Sequence, residues 1–111
     1  MRKIAVPVFN GILSTHFGHC DEFQIFDTEN SQINNSVTKK PPVHQPGILP
    51  AWLHDLGVTD VIAGGMGQRA IHIFNQNSIN VYTGAPVKTP EEVVTDFLNG
   101  TLVTTENLCD H

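Results

Sequence analysis

The chain has 111 residues, 40% of them hydrophobic and 15% charged, with a formal net charge of −5. That is enough for one compact domain with a real core and too little for two. Its six Lys and Arg are scattered, which excludes the basic stripe a nucleic-acid partner requires, and no apolar run approaches the roughly 20 residues of a membrane span. The start "MRKIAVPVFNG" has two basic residues but no long apolar h-region behind them, so no signal peptide is expected. Cys20 and Cys109, at opposite ends of the chain, read as two thiols in a reducing cytoplasm rather than as a disulfide scaffold.

In chain order, "KIAVPV" is nearly all apolar, as a strand covered on both faces would be. "EFQIFD" sets Phe23 and Ile25 on one face, with Phe26 opening the other. "SQINNSV" alternates Ile33, Asn35 and Val37 with polar neighbours, and the turn formers "DTENS" between these two runs predict a hairpin over residues 22–38. "KKPPVHQPG" breaks regular structure. Leu49, Trp52, Leu53 and Leu56 then fall at helical spacing, with Pro50 in the first turn and Gly57 as the stop. "VTDVIAGG" reads as a buried strand, "MGQRAIHIFNQN" as a helix turning Ala70, Ile73 and Phe74 inward, and "INVYTG" as the fifth strand. "TPEEVVTDFLNG" carries full helix grammar: Thr89 as N-cap, Pro90 in the first turn, Glu92 closing a capping box, and Asn99-Gly100 as the end. Val93, Val94, Phe97 and Leu98 form its buried stripe. Residues 1–102 make the single domain, and 103–111 are expected to be a flexible tail.

A three-stranded meander followed by βαβ units implies an α/β fold: a mixed five-stranded sheet flanked by three helices, with the first, fourth and fifth strands parallel. The carboxyl ends of parallel strands are where such sheets hold ligands. The loops leaving them are "FNGILSTHFGHC", "GGMGQR" and "TGAPVKTP".

The first of these loops sets His16, His19 and Cys20 within five residues, a donor set suited to zinc, copper or iron–sulfur species. No CxxC accompanies it, so a closed four-ligand zinc site is not indicated, and ordinary loop histidines with a packed thiol remain the alternative. In the second loop Gly64, Gly65, Met66 and Gly67 precede a helix, whose outward N–H groups form an anion site. Neither a phosphate-binding P-loop nor a dinucleotide GxGxxG is present. Arg69 in the first turn opposes the helix dipole, a penalty that an anion would reverse; the alternative is a tight turn with a solvated arginine. His44, in "PPVHQPG", is a weaker candidate for the same rim. Cys109 and His111, in the terminal "CDH", could swing onto a bound metal. Hydrolysis is poorly supported, since the first strand carries no acid and no triad can be assembled.

"THFGHCDEFQIFD", "VIAGGMGQRAI" and "INVYTGA" together resemble the dinitrogenase iron–molybdenum cofactor biosynthesis family, which includes NifX-like proteins, the carboxy-terminal domain of NifB and NafY. The resemblance runs from Lys3 to about Leu102 and implies a ribonuclease-H-like fold. It also implies a cytoplasmic, non-catalytic binding or carrier protein for an iron–sulfur, iron–molybdenum or molybdenum–copper sulfide cluster. The family's histidine ahead of Phe-Gly matches His16, and its glycine turn matches Gly64, Gly65 and Gly67. His19-Cys20 stands where small residues are common in the family, and the sequence is expected to be a bare domain, unlike nitrogenase-associated members. A cofactor-assembly or acceptor protein is the implied partner, and an edge strand near residues 32–37 leaves monomer and homodimer both open. Three readings compete: a small-anion or nucleotide-binding regulatory domain using only the glycine turn, a divalent-metal hydrolase using Asp21 or Asp27, and a structural domain that docks through the same rim.

Overall fold

The structure, a computed structural model, describes residues 2–14, 21–41 and 48–102. The strands are β1 (Arg2–Phe9), β2 (Ile12–Leu13), β3 (Glu22–Glu29), β4 (Gln32–Lys39), β5 (Asp60–Ile62) and β6 (Asn80–Tyr82). The helices are α1 (Ile48–Asp55), α2 (Gln68–Gln76) and α3 (Pro90–Leu98). One sheet runs β4-β3-β1-β5-β6, with β2 on β1. β1, β3 and β4 form the antiparallel meander, and β1, β5 and β6 are parallel, as the order of elements predicts.

The sheet has six strands rather than the five expected. The addition is β2, which pairs Val8 with Leu13 and Phe9 with Ile12. Asn10-Gly11 makes the turn, with φ values of 54° and 83°. Positive φ at both central residues is what a two-residue type I′ hairpin demands, and Asn-Gly is the pair that meets it at least cost. The signal lay inside a segment read as a loop.

Alternation along the strands sends side chains to two cores. On one face Ala5, Phe23, Ile25, Val61 and Ala63 pack under α1 and α2, with Leu49, Leu53, Met66 and Phe74 from above. On the other, Ile4, Val6, Leu13, Phe26 and Ile62 meet Val93 and Val94 of α3. Burying each of the three fully enclosed phenylalanines, Phe23, Phe26 and Phe74, contributes about 2–3 kcal/mol. The helix α2 presents Ala70, Ile71 and Phe74 to the core, so Ile71 takes the place expected for Ile73. A shift in register between Asp27 and Thr28 places a bulge in the long outer hairpin, whose second strand, β4, is almost wholly exposed.

The ends opposite the carboxyl termini of the parallel strands are tied by a buried acid that sequence patterning did not flag. Asp60, at the start of β5, accepts hydrogen bonds from Asn80 Nδ2 (3.1 Å) and Thr59 Oγ1 (2.7 Å) and faces Arg2 at 3.6 Å. Arg2 in turn lies over the Phe97 ring, 5.3 Å from its centroid. Every lone pair used there is matched by a donor, so the network holds strand starts together.

Candidate functional site

The parallel strands run in one direction, and three connections leave from their carboxyl ends. The ladder continues beyond β5 and β6: Ala63 N donates to Tyr82 O (2.8 Å), Ala85 N to Ala63 O (3.2 Å), and Gly84 N to Gly64 O. These bonds clamp the glycine turn against the 83–86 loop. The latter belonged to the expected rim, but no residue of it was singled out; the Gly-Ala-Pro after β6 was the available signal.

β1 projects farther than β5, and its freed edge is taken by β2. Because β3 occupies the other edge of β1 through Val8↔Glu22, the β2 pairing at Val8 and Phe9 lies on the side of β5, directly past that strand's end. Ser14 N then donates to Pro7 O (2.9 Å), which brings the end of the hairpin back toward the glycine turn. On the opposite edge Asp21 N donates to Val8 O (2.8 Å), and Asp21 Oδ2 accepts from Asn10 N (3.2 Å). Both anchors of the segment that carries His16, His19 and Cys20 therefore sit at the carboxyl end of β1. The three residues themselves lie outside the described residues, as do His44, Cys109 and His111.

The glycine turn divides into a buried part and an open part. Gly65 and the Met66 side chain are buried, Met66 within the core under α2, and Gly64 is half-buried. Gly67, Gln68 and Arg69 are exposed. The accessible part of the expected anion site is thus the first turn of α2, with Met66 as the bolt that fixes it to the core.

That first turn is left open in every respect. Gly67 is the N-cap and supplies no side-chain hydrogen bond, and no acid occupies the first turn. The first helical bond is Ile71 N to Gly67 O (3.1 Å), so the amides of Gln68, Arg69 and Ala70 have no backbone acceptor among the described residues. Arg69 makes no ion pair among them either. Gly67 has φ −65° and ψ 150°, a conformation open to any residue, and a Cβ built there would meet nothing within 4 Å. Stability alone favours Ser, Thr, Asp or Asn at such a position.

Helix α3, the same length and starting on the same rim, is the control. Thr89 accepts from Glu92 N (3.3 Å), Glu92 Oε1 accepts from Thr89 N (3.4 Å), and Pro90 opens the helix. One helix start is closed by every device the sequence can supply. Among the described residues its neighbour offers amides without backbone acceptors, open space at Gly67 and a guanidinium without an ion pair, which suits an anionic group from outside the chain.

Other arrangements of donors fare less well. Among the described residues no group of three or more His, Cys, Asp or Glu could hold a metal ion. Asp21 is on the rim, whereas Asp27 lies toward the far end of β3, 3.9 Å from Lys3 Nζ. Six residues of extended chain separate the two acids by roughly 20 Å, so they cannot share a metal.

The chain and its fold recur among known proteins. An uncharacterized protein of Methanocaldococcus jannaschii is 36% identical over 107 residues, spanning 92% of this chain and 90% of its own length. The crystal structure of PH0822 superposes with a TM-score of 0.87 at 30% identity, over 95% of this chain and 96% of that one. The apo form of the orange protein from Desulfovibrio gigas shares the fold, with a TM-score of 0.77 at 20% identity over 96% and 95% of the two chains. Residues 1–100 match the dinitrogenase iron-molybdenum cofactor family, and the chain belongs to it.

Proposed function

We propose that this protein is a non-catalytic carrier of an anionic metal–sulfide cluster, held at the rim where β1, β5 and β6 end. The observation that carries the proposal is the open start of α2. Gly67 leaves room that no steric demand explains, the amides of Gln68 through Ala70 point outward, and Arg69 supplies the countercharge. Sulfide-rich clusters are anions, and such a corner neutralises their charge without a covalent bond. His16, His19 and Cys20 are the soft donors for the metal, His44 an auxiliary one, and Ser14 and Asp21 anchor the segment bearing the first three. Two or three ligands rather than a closed cage suit a cargo that must be released. Membership of the dinitrogenase iron-molybdenum cofactor family supports iron, molybdenum or a molybdenum–copper sulfide as that cargo. The sheet order, with its antiparallel meander and parallel crossovers, supports a ribonuclease-H-like motif. We place the carrier in the cytoplasm, with a cofactor-assembly or acceptor protein as its partner.

The test is anaerobic loading with tetrathiomolybdate plus Cu(I), or with a molybdenum–iron sulfide, followed by visible absorption of the desalted protein. Wild type should retain chromophore and metal, and the His16→Ala/Cys20→Ala double variant should not. Equal uptake by both would remove the donor set from the proposal. The regulatory-domain reading makes a different forecast: Arg69→Ala alone abolishes binding while His16→Ala leaves it intact.

A further inference from the structure

From the exposed side chains beside this rim we infer a docking surface for a second protein, one presenting an apolar centre ringed by Lys and Arg. Among the described residues the large hydrophobics most open to solvent are Phe9 (46%), Ile12 (40%), Val37 (41%) and Val87 (51%). Val37 stands alone on β4. The other three converge. Phe9 and Ile12 are cross-strand partners and so share one side of the β1–β2 hairpin. Leu13 N donates to Lys88 O (2.9 Å), which sets Val87 beside the same hairpin. Single exposed apolar side chains need no explanation, but a group gathered around one hairpin does.

The surrounding charge selects the occupant. Asp21 is hydrogen-bonded to Asn10 in the turn, and Glu22 pairs with Val8; Lys39, opposite Phe23 on β4, lies one strand farther out, and the chain as a whole carries a net charge of −5. On the other flank exposed Glu91 and Glu92 begin α3, and the nearby Lys88 is neutralised by Asp96 at 3.3 Å. Acids on two sides of an apolar group repel a second copy of this chain and an anionic lipid surface alike. They attract a protein with basic residues around an apolar patch, and they steer its approach. The hairpin adjoins the rim assigned to the cargo, so the partner seated on it faces the cluster. That role as an exchange surface rests on the carrier reading; the docking itself does not.

The experiment installs a photo-crosslinking amino acid at Ile12, with Asn75 on the exposed side of α2 as the control, in cells of the native host. A captured protein is identified, purified and titrated against wild type and the Phe9→Ser/Ile12→Ser variant, whose fold is checked by circular dichroism. Expected are capture from position 12 and not from 75, binding at least tenfold weaker for the double variant, and loss of affinity with added salt or with Glu91→Lys. No capture at position 12, capture of a second copy of the chain, or equal binding by the double variant overturns the proposal. Arg69→Ala separates the two readings, since it leaves docking intact while weakening cargo uptake. Phe9→Ser/Ile12→Ser does the reverse: tetrathiomolybdate uptake survives it, and its loss there would mean that the hairpin serves the cargo rather than a partner.

Discussion

Replacing Gly67 by aspartate should make the protein more stable and less able to bind its cargo. Gly67 already holds the β-region backbone of an N-cap, and its Cβ position is empty, so the side chain enters without strain. Three gains then add. A carboxylate cap in place of glycine contributes a few tenths of a kcal/mol. Removing glycine's freedom from the unfolded chain contributes about 0.4–1 kcal/mol. A negative charge at an acid-free helix start contributes about 0.3–1 kcal/mol at low salt, with the lower part of that range expected at so exposed a position. The total is about 1 kcal/mol, or about 4 °C in Tm for a domain of this size. Thermal unfolding at low and high ionic strength measures it, and only the charge-dependent share should fade with salt. Tetrathiomolybdate uptake by the same variant should drop sharply, because the carboxylate takes both the amides and the space. A variant that melts lower than wild type would show that glycine is needed for the backbone after all. One that melts higher yet still binds the anion would remove the start of α2 from the site.

Arg69→Glu should act in the same two directions: a rise in stability of about 0.5–1 kcal/mol that vanishes in concentrated salt, with loss of anion uptake in the loading assay. Ser78→Gly should stabilise without touching uptake. Ser78 follows α2 at φ 61°, where Ile79 N closes onto Phe74 O (3.0 Å), whereas α1 and α3 end in the same way with Gly57 and Gly100. The left-handed conformation costs a serine about 1–2 kcal/mol and glycine's flexibility returns roughly half, so a net gain of about 0.5–1 kcal/mol should appear in urea unfolding. Thr89→Ala should cost about 1 kcal/mol by dismantling the α3 capping box, and Thr89→Ser should restore most of it in the same assay.

What the sequence disclosed follows the range over which each signal acts. The caps of α3, the stop at Gly57 and the division of Phe23 and Ile25 from Phe26 are local, and the structure carries all of them. The parallel placement of β1, β5 and β6 also followed, because a crossover helix returns the chain to the end of the sheet where the previous strand began. Three features depended on what lay next door in space. β2 is two residues long and exists because β1 outruns β5, which no periodicity measures. Asp60 looked like one more scattered acid until Asn80 and Thr59 were brought to it. Ile71 rather than Ile73 faces the core because the helix is rotated so that Ala70, Ile71 and Phe74 share the side packed against the sheet, a choice set by contacts beyond the helix itself.

The candidate rim was legible in outline through the same crossover rule, since parallel strands send the chain out of β1 and β5 at one end of the sheet. The sequence could not separate the glycines that the fold encloses from the one that borders the candidate site. Gly64, Gly65 and Gly67 look alike in "AGGMG", yet Gly65 is buried and Gly64 is clamped to the 83–86 loop. Gly67 alone is exposed, ordinary in backbone and bordered by empty space. A helix start that could gain about 1 kcal/mol from one substitution, beside another that has spent every device on closure, marks a place where stability and ligand access pull apart. That opposition, more than the presence of glycine, is why the rim reads as a place for an anion.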